Sequence, residues 1–510
     1  MKKIKFAWIL LCLFIISAAL GACSESNENT GNTTNAAAES AGQEAAAAEE
    51  IDPDAPDLPK TDMGGRIFNI FTAGWGSDSN LYEDLTPEEH TGEAIDDAAF
   101  ERRLKIEQAY NIQLRQINES DPHEALNKYR TAILAGDATY DFAFTNLTNF
   151  STLLMGNYLI EFSDMPHIDL DKPYWDRNFN DSLAILGKRF GISGDISKRR
   201  LQCVWIMCFN KEMIENHNME SPFDLVKSGE WTYGKMHEMG RAVARDLNGD
   251  GLMTRQDDLW GINYTGDTIM GIINSAGVRI AELDGDGIPW LTIDVEPNLS
   301  RLMTIFTDMR DNTYSIDTLF VSGGSVSGMP DAQIFSESRA LFLACATHNV
   351  SQIRDGDSAD IGLRTMEVDF GIIPYPKWDT AQADYKSYTA GNYHPVLSVP
   401  ITNGDLANTS IIMEALAYEG RKTIIPEFYE SLLKTKTARD EESAEMLDFI
   451  FGNIHYDIGN MYNFGGIAGV FGWEMSTNLR ANIVSIVERQ AHRWQQSIDE
   501  MVEQIENAGG

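Results

Sequence analysis

Apolar and polar residues follow two different periods near the start of the folded region, and these periods predict strands and helices in turn. Residues 66–72 (RIFNIFT) alternate with a period of two and are rich in aromatic and β-branched side chains, as in a strand. Residues 94–110 carry apolar side chains at helical spacing. The next predicted elements are a strand at 112–117, a helix at 123–135 and a strand at 140–144. This order predicts an α/β sheet flanked by helices.

The same patterns return after residue 200 and predict a second group of elements. An apolar run from Val204 to Asn210 predicts a buried strand, and Thr232 is a suitable N-cap for a helix that extends to Arg245. Further predicted elements are a strand at 370–373 and helices at 300–312, 410–419 and 477–507. The sequence contains no internal repeat.

The first 23 residues have the pattern of an export signal that ends at a cysteine. Lysines at positions 2, 3 and 5 precede an apolar run at 6–19, which is too short to span a bilayer comfortably. Leu20-Gly21-Ala22-Cys23 then resembles a bacterial lipobox, which implies cleavage before Cys23 and lipidation of that cysteine. The alternative is an ordinary secretory signal with an incidental cysteine. Both alternatives place the mature protein outside the cytoplasm.

Composition divides the rest of the chain into a tether and a body. Residues 24–58 are rich in small and polar residues and have almost no large apolar side chain, which predicts a disordered tether. The remaining body of roughly 450 residues is long enough for two or three domains. No later stretch has the pattern of a membrane helix, so we expect membrane contact through the lipid anchor only.

The net charge limits the partners that the protein can bind, and the positions of the cysteines limit the disulfides that it can form. The 510-residue chain has a net charge of -37 at pH 7, which argues against nucleic acid as a partner and is compatible with a neutral or cationic ligand. Cys203, Cys208 and Cys345 remain in the mature body. Because Cys203 and Cys208 would lie on opposite faces of one strand, we predict three buried free thiols.

A series of short motifs recurs in the order found in one known family. The motifs are RIFNIFT, Tyr140-Asp141, 167–175 (HIDLDKPYW), Phe209-Asn210-Lys211, Trp231-Thr232, 335–342 (FSESRALF), 370–377 (FGIIPYPK), 434–449 and 456–465. Behind a lipobox and a tether, this set resembles the extracellular solute-binding proteins, family 1, which deliver solutes to ABC importers. The resemblance covers about residues 65–475.

The resemblance implies a two-lobe α/β clamshell of the periplasmic-binding-protein type II, with hinge crossovers between the lobes. It implies an N-terminal lobe at 65–197 plus 350–420 and a C-terminal lobe at 198–349 plus 421–510. The expected protein is a monomer on the extracellular face of the cytoplasmic membrane. It would capture a small solute, a sugar or oligosaccharide by kinship, and present it to the transmembrane subunits of an ABC permease.

A twelve-residue loop has the spacing of a calcium site. Calcium needs six to eight oxygen ligands around a tight turn. The loop offers Asp246, Asn248 and Asp250 at positions 1, 3 and 5, the Leu252 carbonyl at 7, Thr254 at 9 and Asp257 at 12, with Gly251 at the bend. It resembles EF-hand and dockerin loops, although Asp replaces Glu at position 12. We therefore expect a structural Ca²⁺, the alternative being a turn that holds no metal. The similar segment 282–287 predicts a hairpin turn instead.

Ligand contacts are expected in loops at the carboxyl ends of strands that face the cleft. Aromatic rings cover the faces of a sugar, whereas amide, carboxylate and imidazole groups bond its hydroxyls. The candidates are Trp75, Asn146, Asn149, Trp205, His348, Asn349, Tyr393, His394, Tyr462, Asn463 and Trp473. Packing in the core is the alternative for each aromatic residue, and it is favoured for Trp205 and for Trp175.

Two other classes of function compete with solute binding. An exported glycoside hydrolase would need two carboxylates at a defined separation, but the chain has no recognisable catalytic motif, so we expect no enzyme. A surface adhesion or scaffold protein is suggested by the dockerin-like loop, but the loop stands alone without a repeat.

Overall fold

The structure is a computed structural model, and it describes residues 52–73, 82–264, 268–309, 311–317, 333–351, 363, 368–389, 391, 394–434, 441–471 and 482–507. Contacts divide the chain into Met1–Ile51 and Asp52–Gly510, and only the second unit contains described residues. The predicted signal with Cys23 and the tether up to residue 51 therefore lie outside the described residues. Within the described part, no helix is long and apolar enough to cross a bilayer.

The strands in the described residues are β1 (Arg66–Ala73), β2 (Ile112–Glu119), β3 (Phe142–Thr145), β4 (Trp205–Asn210), β5 (Trp260–Tyr264), β6 (Ala281–Leu283), β7 (Pro289–Leu291), β8 (Ser315–Asp317), β9 (Ala340–Ala346), β10 (Phe370–Ile373), β11 (Ser387–Tyr388), β12 (Val396–Ser398) and β13 (Ile454–His455).

The helices are α1 (Ala94–Tyr110), α2 (Pro122–Leu134), α3 (Leu147–Met155), α4 (Arg177–Ser182), α5 (Arg199–Gln202), α6 (Lys211–Asn216), α7 (Pro222–Ser228), α8 (Tyr233–Val243), α9 (Thr268–Ser275), α10 (Asn298–Asp308), α11 (Gln333–Ser336), α12 (Thr347–Ser351), α13 (Leu406–Lys422), α14 (Ile424–Lys434), α15 (Glu441–Gly452), α16 (Ile458–Tyr462), α17 (Ile467–Gly469) and α18 (Ile483–Asn507). Short 3-10 turns lie at Phe162–Asp164, Ile185–Gly187 and Phe464–Gly466.

Two sheets organise these elements. The first sheet has the order β12-β3-β1-β2, in which β1 is parallel to both neighbours and β12 is antiparallel to β3. The second sheet has the order β10-β4-β9-β5-β8, in which β5 is parallel to β8 and β9, and β4 is antiparallel to β9 and β10. The β-α-β-α-β prediction for the first sheet and the predicted strands at 204–210 and 370–373 are confirmed.

The first sheet is buried on both faces, because β1 carries apolar side chains on both of its sides. Phe68 and Ile70 of β1 pack into one core with α1 and α13, whereas Phe71 packs on the other face with Tyr129 of α2. A parallel sheet covered by helices on both sides is the expected arrangement for β-α-β units. The second sheet lies in the same core as Phe71.

Two chain segments are joined by an isolated bridge beside each sheet, and we call their described residues the crossover segments. Residues 192–204 and 389–397 form antiparallel bridges at both ends, at Ile192 with Leu397 beside the first sheet and at Val204 with Thr389 beside the second. The predicted hinge crossovers therefore correspond to a paired structure. Paired crossovers restrict the relative motion of two sheets to a few backbone dihedrals, as a hinge requires.

The predicted lobe boundaries need one correction. Strand β10, which the sequence analysis placed in the N-terminal lobe with residues 350–420, pairs with β4 of the second sheet. The chain therefore remains with the second sheet through β10 and enters the first sheet only at β12. The other boundaries stay predictions.

Several local predictions are confirmed. Thr232 caps α8 through a hydrogen bond from the Lys235 N–H, at 3.3 Å. The segment 282–287 turns between the antiparallel strands β6 and β7. All three body cysteines are buried and unbridged. Trp175 is 3% exposed and packs in the first core.

Glu414 of α13 lies beneath the segment that contains the predicted motif HIDLDKPYW. Its carboxylate accepts hydrogen bonds from the Tyr174 hydroxyl at 2.6 Å and from the Trp175 indole N–H at 2.9 Å. Burial nevertheless raises the pKa of Glu414 to about 7 against the lowering effect of these two donors. The residue therefore joins α13 to this segment and titrates near neutrality.

We expect the free energy of unfolding to decrease as the pH rises from about 4.5 to 7, because the folded state keeps the Glu414 proton that the unfolded chain releases. The contribution of this group is at most about 3 kcal/mol. It is measured as the difference between wild type and Glu414→Gln in denaturant titrations across this pH range. A difference that does not change with pH would contradict the raised pKa.

Candidate functional site

The parallel strands β1, β2 and β3 end at one edge of the first sheet, where a polar surface is held in place by hydrogen bonds. The Thr72 hydroxyl donates to Asn118 Oδ1 at 3.0 Å and accepts from Gln116 Nε2 at 2.9 Å. The Thr86 hydroxyl donates to Gln116 Oε1 at 3.4 Å. These contacts hold Thr86, which lies between β1 and α1 in the chain, against the carboxyl end of β2. Carboxyl edges of α/β sheets are the usual place for ligands.

A concave pocket of about 430 Å³ lies at this edge. It is lined by Glu83, Thr86, Pro87, Glu88, Glu89, Thr91, Asp96, Gln116 and Asn118. Four of these side chains are carboxylates, and no lysine or arginine is among the described lining residues. The others supply hydroxyl and amide groups, so the pocket presents many acceptors and several donors for hydrogen bonds.

The pocket is tied to a crossover segment by Lys198. This side chain is 5% exposed, and its Nζ donates to a carboxylate oxygen of Glu83 at 2.8 Å. Asp84 accepts from the Lys198 backbone N–H at 2.8 Å and from the Ser197 hydroxyl at 2.9 Å. Burial opposes the charge of Lys198, but Asp84 and Glu83 outweigh it and raise the pKa of the lysine. A pocket wall and the hinge therefore share one network of charged hydrogen bonds.

His394 joins the two crossover segments through its two ring nitrogens. It is fully buried, with Nδ1 3.2 Å from the Thr389 hydroxyl and Nε2 3.1 Å from the Ser193 hydroxyl. Its ring stacks on Phe179 with 4.8 Å between centroids. Burial, followed by the nearby charge of Arg200, lowers the pKa of His394 to about 3, so the ring is neutral at physiological pH.

Asp195, a buried acid in the segment 192–204, adds charged hydrogen bonds to the crossover. Asp195 is fully buried and accepts from Arg200 Nε at 2.8 Å and from Arg421 of α13 at 3.2 Å. A Cβ atom on Gly420 of the same helix would lie 1.9 Å from the Asp195 carbonyl oxygen. Helix α13 can therefore approach the crossover only because residue 420 has no side chain.

Solved structures with this arrangement are known, although no protein-family profile and no curated relative match the chain. An ABC substrate-binding protein from Listeria monocytogenes, solved in complex with cycloalternan, is 11% identical with a TM-score of 0.51, over 86% of this chain and 99% of that one. UspC from Mycobacterium tuberculosis is 12% identical with a TM-score of 0.55, over 84% and 100%. A sugar transporter from Rhizobium etli in an open conformation is 14% identical with a TM-score of 0.54, over 86% and 99%.

The chain has the fold of ABC substrate-binding proteins. The predicted two-lobe α/β clamshell is therefore confirmed as a fold class. In this fold the edge pocket and the crossover segments are the natural candidates for the ligand cleft and its hinge.

The substrate-binding-protein fold places Asn146 and Asn149 at the carboxyl end of β3, as predicted. Both are buried and support α3 and α2. The Asn146 side chain caps α3 by accepting from the Asn149 N–H at 2.8 Å, and Asn149 Nδ2 donates to the Pro122 carbonyl at 2.8 Å. Their role in ligand contact stays a prediction.

Trp205 and His348 are brought together where the second sheet meets the crossover. Trp205 pairs with Ala346, and His348 Nδ1 lies 3.1 Å from the Gln202 carbonyl oxygen. Asn349 follows on α12. Trp205 is 6% exposed, and its indole N–H has no hydrogen-bond partner within the described structure. Trp205 is therefore buried in the core, which was the favoured alternative. Its contact with a ligand stays a prediction.

The late aromatic segment has a clear structural role in the part that is described. The Tyr462 hydroxyl donates to the Leu183 carbonyl at 2.7 Å, and its ring stacks on Phe464. Asn463 ends α16 in a left-handed conformation and accepts from the Ala468 N–H at 2.9 Å. Trp75, Tyr393 and Trp473 lie outside the described residues.

The edge pocket itself was missed by the sequence analysis. The predicted ligand contacts are aromatic residues and amides next to strands, whereas most of the pocket wall comes from the segment Glu83–Thr91, between β1 and α1. The available signal was the density of glutamates and threonines between the first strand and the first helix. Such a run is also typical of a solvated loop, so the signal was weak.

The predicted calcium loop forms a tight turn that is closed by its own side chains. The Asp246 carboxylate accepts from the N–H groups of Gly249 at 2.6 Å and Gly251 at 2.7 Å. Both glycines have positive φ, at 74° and 82°. Asn248 and Asp250 each accept from the N–H two residues later. The side-chain oxygens at positions 1, 3 and 5 thus organise the turn.

Position 12 does not behave as the spacing predicts. Asp257 is exposed, whereas Asp258 is fully buried and accepts from the N–H groups of Leu247 and Thr254, at 2.9 and 2.6 Å. Within the described chain, no group of three His, Cys, Asp or Glu side chains is arranged to share a metal ion. Calcium binding by Asp246, Asn248, Asp250, Leu252 and Asp257 stays a prediction.

If the loop binds calcium, EDTA lowers the melting temperature of wild type by a few degrees, and added Ca²⁺ restores it. The variant Asp250→Ala should then lose the difference between EDTA and Ca²⁺, because it lacks one of the oxygen ligands. Asp286→Ala on the β6–β7 turn is the matched control and should keep the difference. Equal melting temperatures of wild type in EDTA and Ca²⁺ would contradict the site.

Replacing His394 tests the crossover contact. We expect His394→Ala to lower the free energy of unfolding by about 2–4 kcal/mol, because it removes a stacked ring and the partner of the buried Ser193 hydroxyl. Since the folded histidine stays neutral, its contribution should fall as the pH drops below about 6.5. Denaturant titrations of both proteins at pH 5 and 7.5 measure this difference. An unchanged free energy of unfolding in His394→Ala would contradict a role of His394 in holding the crossover segments together.

Proposed function

We propose that this protein is a solute-binding lipoprotein that captures a sugar or another small polyhydroxylated solute for an ABC importer by closing two lobes around it. The observation that carries the proposal is the pair of antiparallel crossover segments between two sheets. The fold shared with an ABC substrate-binding protein and with a sugar transporter supports it. We propose the carboxyl edge of the first sheet, next to the hinge, as the ligand site.

The chemistry of the edge pocket supports a hydroxyl-rich ligand. Carboxylates accept hydrogen bonds from hydroxyl groups, and the Gln116 and Asn118 amides can both donate and accept. All the described lining residues lie between positions 83 and 118, so a ligand there would be covered by the approach of the second lobe. Because Glu83 is already paired with Lys198, closure and occupancy would act on the same charged network.

The location proposed for this function is the extracellular face of the cytoplasmic membrane. The support is the N-terminal sequence, in which Cys23 follows a signal pattern and precedes a polar tether. The partners would be the transmembrane subunits of an ABC permease, and the protein would act as a monomer. The Asp246–Asp257 loop would hold a structural Ca²⁺ on the second lobe, remote from transport.

A thermal-shift screen of mono- and oligosaccharides tests the proposal against its alternatives. A ligand present at one hundred times its Kd should stabilise the protein by about 2.7 kcal/mol and raise the melting temperature. Release of reducing sugar from the same oligosaccharides should stay at background. Stabilisation with turnover would favour a glycoside hydrolase, and the absence of any stabilising saccharide would favour a scaffold role or another solute.

The pocket is tested with a pair of variants on one strand. Gln116→Ala removes a pocket amide and should weaken binding of the saccharide found in the screen about tenfold, the loss expected for one hydrogen bond in a binding site. Gln113→Ala is exposed on the same strand, is not a lining residue and should bind like wild type. Titration calorimetry measures both affinities. Equal affinities would place the ligand elsewhere in the cleft.

A further inference from the structure

The segment before the first strand is held on the body of the protein, although the sequence predicts a disordered tether as far as residue 58. Asp52 accepts from the Tyr418 hydroxyl at 2.8 Å and from Lys422 Nζ at 2.9 Å, both on α13. Lys172 Nζ lies 3.3 Å from the carbonyl oxygens of Pro53 and Ala55. Three of the four residues 52–55 are therefore in contact with α13 or with Lys172.

The remainder of this segment alternates between contact and exposure. Pro56 and Leu58 are half-buried, Asp57 is exposed, and Leu58 packs against the first core. Further along, Asp62 accepts from Asn111 Nδ2 at 2.7 Å, and the Met63 N–H donates to the Tyr110 carbonyl at 2.9 Å. The chain is thus fixed to the end of α1 as well as to α13 before it enters β1.

We infer that residues 52–58 form a strap that binds the α13 face of the first lobe and transmits any pull from the N-terminal anchor to that lobe alone. The strap contacts Lys172, Tyr418 and Lys422, and none of its hydrogen bonds reaches the second sheet within the described structure. The second lobe would therefore remain free to move when the first is moored. The attachment of the first lobe to the membrane rests on the proposed lipid anchor. The contacts of residues 52–58 with the body do not depend on that anchor.

The charges at the strap fit this role. Lys422 lies over the Tyr418 ring, with 4.9 Å between its Nζ and the ring centre, and donates to the Tyr418 hydroxyl at 2.9 Å. Hydrogen bonds from Lys422 and Tyr418 lower the pKa of Asp52 to about 2. The ion pair is therefore intact at any pH above about 4 and is lost only as the pH falls towards 2.

The chain offers a clean assay for strap opening. Lys60 is the first basic residue after Lys5, so trypsin has a single cleavage position between the signal and Arg66. It lies between the strap and the contacts at Asp62, and a protease needs a locally released segment around its cleavage position. The rate at which trypsin produces a fragment that begins at Thr61 therefore reports how often the strap is released.

We expect Asp52→Asn and Lys422→Met each to accelerate cleavage after Lys60 about three- to tenfold in the full chain. Asp57→Asn is the matched control, since it removes the same charge from an exposed position in the strap, and it should be cleaved like wild type. Mass spectrometry of the products gives the rates, and the melting temperature shows whether each variant is folded.

The double variant Asp52→Asn/Lys422→Met should be no faster than the faster single variant, because both changes break one contact. Equal cleavage rates in wild type, Asp52→Asn and Lys422→Met would overturn the strap. Equal acceleration in Asp57→Asn would also overturn it, because the effect would then follow from net charge. Failure to bind any saccharide, or absence of lipid on Cys23, would leave these rates unchanged and would concern the proposed function only.

Discussion

The bridging of the two crossover segments, at Ile192 with Leu397 and at Val204 with Thr389, is the constraint on which the rest of the structure depends. It joins the first sheet to the second at the proposed hinge. His394 adds a side-chain contact between the segments, with one ring nitrogen near the Ser193 hydroxyl and the other near the Thr389 hydroxyl. A neutral ring suits this position because a buried cation would lie beside Arg200.

In a chain with 77 acidic and 40 basic residues, several cations pair with carboxylates that lie on separate segments of the fold. Arg200 and Arg421 compensate Asp195, Lys198 compensates Asp84 and Glu83, and Lys422 holds Asp52. Burying such pairs gains little stability over apolar packing, but leaving one partner alone is costly. The paired charges therefore specify which segments meet at the crossover and at α13. The carboxylates Glu88 and Glu89 of the edge pocket are exposed.

The residues that sequence patterns located correctly are those whose structure depends on near neighbours. The strand RIFNIFT, the apolar strand at 204–210 and the Thr232 cap follow from period, propensity and a local hydrogen bond. Strand β10 was assigned to the wrong lobe because four apolar residues before a proline predict a strand but not its partner. The tether was extended to residue 58 because Asp52 and Leu58 find their contacts on α13 and in the first core, more than three hundred residues later in the case of Asp52.

The sequence by itself determined the α/β class, the order of the main elements, the export pattern and the compact turn at Asp246–Gly251. Each of these depends on interactions within about a dozen residues, and such interactions are visible as spacing. Only the tertiary structure decided the edge pocket, the pairing of the crossover segments and the docking of residues 52–58. These features join groups that are far apart in the chain, such as Glu83 with Lys198 or Ser193 with His394. Contacts of that kind arise when elements pack, and they leave no periodic trace in a single sequence.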